Sequence, residues 1–232
     1  IEDNVIGFLN CDSDIAGFYN KFQLSVIQIF ATEAGLAIRN ARLYDASLKL
    51  SQKLRLINDL THQVLEASSR DEILEVLPEK LMQLSEGNNV YISRWDDEHE
   101  TVTGWAATGK HRKQYLQGKS IPGDQTITRH ILNANQSTLI ADITQTSVMD
   151  PKFLSFYQEK TLFCLPLAAE NLKLGAIVIG YENIEDFTED IRAMCEYAAI
   201  QISTAMAKIQ SLEMERLQSS QLTHANALIE TL

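Results

Sequence analysis

Leu162-Phe163-Cys164-Leu165-Pro166-Leu167, then Leu174-Gly175-Ala176-Ile177-Val178-Ile179-Gly180, then Phe187-Thr188-Glu189-Asp190 is the succession that decides the fold. The first two runs are apolar at consecutive positions, so they predict strands in the middle of a sheet, covered on both faces. They are joined by a hairpin at Glu170-Asn171, and a polar turn from Glu182 to Asp186 opens a long helix at Phe187. Working backward, Thr138 to Ile143 reads as a strand and Thr144 to Asp150 as a loop. Pro151 to Glu159 reads as a short aromatic helix. Val90 to Trp95 and Thr101 to Ala107, turned by Asp96-Asp97-Glu98, read as an antiparallel hairpin. Asp124 or Thr126 caps a helix that ends near Asn135, after a basic, polar loop from Lys110 to Lys119. Ser69 or Asp71 caps another, which holds Pro78 and is ended by Gly87.

The same grammar opens the chain. Asn4-Val5-Ile6-Gly7-Phe8-Leu9-Asn10 has the pattern of a strand, Cys11 to Gly17 that of a polar turn, and Asn20 is placed to cap a helix. Gly7 and Gly175 lie 168 residues apart, as do Tyr19 and Phe187, and Ala37 and Ala205, with a one-residue adjustment near Phe22. This spacing predicts an internal repeat. Residues 1–44 are then the end of one domain, 22–68 a connecting helix, 69–207 a complete second domain and 208–232 an exit helix. The expectation is a piece of a longer protein.

From Phe22 to Val64 there is no proline and a single glycine, Gly35. Leu36, Leu43, Leu50, Ile57 and Val64 recur every seven residues, the pattern of a supercoiled dimer seam. If these are d positions, the a positions are Asn40, Ser47, Leu54 and Thr61, so most a layers are polar. Polar a layers give up stability and fix partner and register. On the exit helix Ile202, Ala205, Ile209 and Leu212 keep one heptad phase, and Leu222, Ala225, Ile229 and Leu232 keep another. A parallel homodimer through both helices is expected.

Composition excludes several roles. A net charge of -11 leaves no basic surface for nucleic acid. No apolar run reaches the ~18–20 residues of a membrane span, so no membrane insertion of this piece is expected, and the cytoplasm is the expected location. Cys11, Cys164 and Cys195 are odd in number and widely spaced, as small buried thiols in a reducing compartment would be. His62, His99, His111, His130 and His224 show no metal-ligand spacing, and no phosphate loop or nucleophile elbow occurs. His224 is followed by Ala225-Asn226-Ala227, which does not resemble the surroundings of a kinase phosphoacceptor. No catalyst and no metal are expected.

Thr161 to Leu167, Leu174 to Ile179, Phe187 to Ile191 and a final helix with Ala198, Gln201 and Ala205 resemble the GAF domain of bacterial signalling proteins. Gly7 to Asn10 and Ala31 to Tyr44 resemble the end of another such domain. The resemblance implies an α+β fold with a central antiparallel sheet, PAS-like in topology, flanked by helices, with long signalling helices leading in and out. It implies a ligand-sized pocket between the free sheet face and the Asp124–Glu159 region. It also implies a sensory or regulatory role upstream of an output domain such as a histidine kinase or nucleotide cyclase. The bilin-binding branch places a Cys-His pair just before the central strand, where this chain has Met149-Asp150, so no covalent bilin is expected. The branch that reduces free methionine sulfoxide needs closely arranged cysteines, which this chain lacks.

Pocket candidates under this reading are Trp105, Arg129, His130, Asp142, Met149, Phe153, Phe156 and Tyr157: aromatics over a half-open sheet face with a few polar groups suit a small-molecule site. Arg129 could hold a carboxylate, a phosphate or a surface acid. Two rivals stand beside the sensor reading. One is a dimerisation spacer whose pocket is filled by its own side chains, and the other is a redox enzyme on the same fold.

Overall fold

The computed structural model describes residues 5–67, 69–169, 171–184 and 187–230, the side chains of 216, 217 and 220–230 excepted. The chain divides into two compact units, Ile1–Leu54 and Arg55–Leu232.

In the first unit, helix α1 begins at Lys21 and continues as one element to Glu66, 46 residues or roughly 70 Å at 1.5 Å per residue. Its start is a reciprocal capping box: the Asn20 Oδ1 accepts from the backbone N–H of Phe22 (2.9 Å) and Gln23 (3.2 Å), while Gln23 Oε1 accepts from the Asn20 N–H (2.8 Å). Residues 5–10 form no strand here, although their pattern is that of one. A strand's backbone groups need a neighbour in a ladder, and nothing among the described residues supplies one.

The second unit is a five-stranded antiparallel sheet in the order β2-β1-β5-β4-β3. Its strands are β1 (Asn89–Asp96), β2 (Thr101–Ala107), β3 (Thr138–Ile140), β4 (Thr161–Ala169) and β5 (Leu172–Tyr181). Against one face lie the end of α1, α2 (Arg70–Ser85) and α5 (Glu189–Glu230). Against the other lie α3 (Arg112–Gln117), α4 (Ile127–Ala134) and two 3-10 turns, Ile143–Gln145 and Pro151–Phe156. Period-2 alternation sorts the strands between two cores: Val90, Ile92, Phe163, Leu165, Ile177 and Ile179 face the long helices, and Tyr91, Leu162, Cys164 and Val178 face α3 and α4.

Local chemistry sets the boundaries. Ser69 caps α2, accepting from Glu72, and Thr126 caps α4, accepting from Arg129. Pro78 is buried inside α2, which runs through it unbroken. The left-handed residue that ends α2 is Glu86 (φ 56°) rather than Gly87. Gly87 answers a different need, because a Cβ there would lie 2.5 Å from Ile179. The loop from Lys110 to Lys119 contains a helix, α3, which buries Tyr115.

The seven-residue repeat of α1 divides at the unit boundary. Leu36, Leu43 and Leu50 are 52%, 59% and 57% exposed, and Leu54, Asn40 and Ser47 are exposed as well. Ile57 and Val64, expected in the same seam, are instead buried with Leu60 in the core formed with α2 and α5. Thr61 sits beside them with its hydroxyl buried and without a hydrogen-bond partner among the described residues. A heptad stripe is satisfied equally by a helix of another chain or by helices of its own domain, and from residue 57 onward the domain claims it. On α5, Ile202, Ala205 and Ile209 are likewise core residues, while Leu212 is exposed. The side chains of the second phase, at Leu222, Ala225 and Ile229, and that of His224 lie outside what is described, as do residue Leu232 and the turn residues Glu170, Glu185 and Asp186.

Candidate functional site

The crossover from β2 to β3 passes over the sheet face opposite the long helices, and beneath it is a cavity. Its wall includes Val102 and Gly104 of β2, Tyr115 of α3, Ile127 and Thr128 of α4, and Met149, Phe153, Phe156 and Tyr157 from the turns before β4. Gly104 is needed because a Cβ there would lie 2.3 Å from the carbonyl oxygen of Tyr115, so only glycine lets α3 settle this close. The free volume is about 40 Å³, room for roughly three water molecules. Small-molecule sites are usually on the order of 300–1,000 Å³. The pocket stands where the resemblance places it, but its own aromatics fill it.

The filling is a ring cluster. Tyr91 lies 5.1 Å from both Tyr115 and Tyr157, centroid to centroid, Tyr115 lies 6.3 Å from Phe156, and Phe153 lies 5.9 Å from Phe156. The nearby hydroxyls are already engaged. Ser93 Oγ and Thr128 Oγ1 are 2.6 Å apart, Ser120 Oγ accepts from the Val102 N–H (2.7 Å), and Thr126 Oγ1 holds the start of α4. Burial pushes the phenols of Tyr115 and Tyr157 well above the ordinary tyrosine range.

Behind the rings is a buried carboxylate, Glu159, 3% exposed. It accepts hydrogen bonds from Tyr91 Oη (3.0 Å), the Asn89 side-chain amide and the Gln158 N–H (3.3 Å), and among the described residues no cation pairs with it. Asn89 in turn accepts from Thr108, whose hydroxyl also accepts from the Val90 N–H (2.8 Å). Burial first, and then the neighbouring Glu159, raise the Tyr91 phenol far above its ordinary pKa, keeping it protonated as a donor. This network pins β1 to the segment before β4 and thereby fixes Tyr91, the ring at the centre of the cluster.

Of the eight pocket candidates, Met149, Phe153, Phe156 and Tyr157 line the cavity. The other four lie elsewhere. Trp105 packs toward the long helices, because a bulge opposite Ile92 and Ser93 puts both Trp105 and Ala106 on that side. Arg129 pairs with Glu100 at 3.1 Å, donates to the Glu100 carbonyl oxygen and stacks over Trp95, clamping the β1–β2 turn. His130 is exposed on α4. Asp142 caps the turn Ile143–Gln145 and pairs with Lys160 at 3.1 Å. The Thr144 hydroxyl and then Lys160 hold its carboxyl below the usual range.

Tyr91, Tyr115 and Glu159 were not evident from sequence. Tyr115 sits among basic residues with no period to betray it. Glu159 precedes an apolar strand as solvated acids often do. Met149 is buried in the cavity wall. Cys164 and Cys195 belong to the two opposite cores, and burial pushes the Cys164 thiol far up. No group of metal-ligating side chains is found among the described residues, and no helix among them is long and apolar enough to cross a membrane.

No family model and no curated protein matches the sequence. Solved structures do match the fold. The GAF domain of a phosphoenolpyruvate-protein phosphotransferase from Coxiella burnetii superposes with a TM-score of 0.61 at 18% identity, over 70% of this chain and 96% of that one. Free methionine-R-sulfoxide reductase from Neisseria meningitidis, solved in complex with its substrate, gives 0.59 at 11% identity, over 71% and 93%. The GAF domain of a two-component sensor histidine kinase from Bacillus halodurans gives 0.53 at 19% identity, over 63% and 99%. With the sheet order, the helical layer and the covered pocket face, these likenesses establish that the chain carries the GAF-domain fold.

Proposed function

We propose that this chain is a regulatory GAF module of a signalling protein, which passes a conformational change along paired helices to an output domain in the same polypeptide. The observation that carries this reading is α1: its apolar stripe is exposed at Leu36, Leu43, Leu50 and Leu54, then continues without a break into the domain core at Ile57, Leu60 and Val64. One helix thus has a stretch available to a second chain and a stretch embedded against α2 and α5, the connection through which a shift in the domain's core would reach the seam. Polar layers at Asn40 and Ser47 keep alternative pairings close in free energy, which a switch requires. Two of the fold neighbours are GAF domains of a sensor histidine kinase and of a phosphotransferase, which agrees with a regulatory role. We assign the cavity no enzymatic chemistry, since the described residues that line it include no thiol and no acid.

A second reading is favoured by the cavity itself. With about 40 Å³ free and its hydroxyls paired internally, the module would respond to mechanical or conformational input, or act as a passive spacer, rather than hold a resident ligand. One experiment separates these. Asn40→Ile with Ser47→Ile tightens the seam, and in the intact protein the output is expected to lock in one state. A tightened dimer whose output still covers its full range marks the helix as a spacer.

A further inference from the structure

α1 has a second apolar face, distinct from the seam. At about 100° per residue the two lie on roughly opposite sides of the helix. The second face carries Ile27, Phe30, Ala31, Ala34, Ala37 and Ile38, and on it Phe30 and Ile38 are 67% and 46% exposed. Shifted by 168 residues, these positions are Cys195, Ala198, Ala199, Ile202, Ala205 and Met206 of α5, every one of them buried against its sheet. The seam positions Leu36, Asn40 and Leu43 fall on Thr204, Lys208 and Ser211, all exposed. The helix caps keep the same offset: Asn20 accepts from the Gln23 N–H as Thr188 accepts from the Ile191 N–H.

A second observation comes from the segment before the helix. Gly175 in β5 has no alternative, because a Cβ there would lie 1.8 Å from the Ser93 carbonyl oxygen of the neighbouring β1. A Cβ at its counterpart Gly7 would meet nothing within 4 Å among the described residues. Ile6, the counterpart of the buried Leu174, lies with its Cδ1 3.6 Å from where a Cβ on Gly35 would be, so the segment rests on the helix without the strands that surround β5.

We infer that this face of α1 is the docking surface for an antiparallel sheet of the same fold, in which residues 5–10 are the last strand and polypeptide N-terminal to residue 1 supplies the others. The occupant lies in cis because, in the complete copy, the strands neighbouring β5 precede it in the chain and β5 leads directly into its helix. A second copy of this chain is the rival occupant, but the seam across the helix is better suited to it.

Maleimide labelling of Ala34→Cys tests this in a Cys11→Ser background, with Gln28→Cys as the control. In the 232-residue chain both are expected to label at similar rates. In the complete gene product Ala34→Cys is expected to slow at least about 100-fold while Gln28→Cys is unchanged. Hydrogen exchange on the unsubstituted proteins is the second measurement, with residues 5–10 protected only in the complete product. Equal labelling in the complete product, a gene product in which nothing precedes residue 1, or protection of Ala34→Cys that rises with the concentration of the 232-residue chain would each overturn the inference. None of these outcomes depends on whether the helices transmit a signal.

Discussion

α1 and α5 begin alike and end up in different surroundings. Both open on a side-chain cap, run for more than forty residues and carry an apolar face over their first six turns. On α5 that face is closed: Ile202 and Met206 are fully buried on the sheet. On α1 the matching residues, Ala34 and Ile38, face open space, and the helix becomes a core element only from Ile57. Periodicity therefore reports which residues will be covered but is silent about what covers them.

The largest effect is expected where the comparison is sharpest. Ile202→Ala should destabilise the domain by about 2–5 kcal/mol, because a fully packed site cannot collapse around the missing atoms. Phe30→Ala, on the bare helix, should stay within ~0.5 kcal/mol in this chain. Urea denaturation of the two variants checks both, and similar costs would break the contrast. Next in size is Tyr91→Phe. Removing its hydroxyl takes one donor from the buried Glu159, at a cost of about 1–3 kcal/mol, whereas Tyr157→Phe leaves that carboxylate's donors in place and should cost less.

Smaller and opposite in sign is Thr61→Val. It removes a buried hydroxyl that has no partner among the described residues and keeps the side-chain shape, so the thermal midpoint should rise, by about 1 kcal/mol in stability. The same change at the exposed Thr32, whose hydroxyl bonds back to Gln28, should be near neutral. The effects of pH run in both directions. Burial raises the phenols of Tyr91, Tyr115, Tyr157 and Tyr181, so their contribution is full below the unfolded value of ~10 and is lost as pH rises through the folded values. The depressed carboxyls of Asp124, next to Lys152, and Asp142, next to Thr144, act the other way. They add stability above the unfolded value of ~4, which is lost as pH falls. Tyrosinate absorbance appearing in step with unfolding at high pH would check the first limb, and early titration without unfolding would contradict it.

The fold was legible because its signals are local: apolar runs for β4 and β5, caps at Ser69 and Thr126, and a hairpin turn at Asp96. The site was legible only in part. Met149, Phe153, Phe156 and Tyr157 could be found because aromatics cluster in the segment that must cross the sheet. Trp105 was misplaced by a single bulged residue, which sequence periodicity does not encode. Arg129, His130 and Asp142 were polar groups near the right place whose partners, Glu100, solvent and Thr144 with Lys160, are set by loop geometry. Glu159 was missed because a buried acid is recognised by its donors, and its side-chain donors come from residues 89 and 91, far away in sequence.

The proposed role stands or falls with the pairing of α1. Ser47→Cys in the Cys11→Ser background, oxidised at micromolar concentration, measures it directly. A parallel seam brings the two Ser47 positions together, so a disulfide-linked dimer should form rapidly, while Asp45→Cys, on the opposite side of the helix, should stay largely monomeric. Equal and slow crosslinking at both positions would contradict the account.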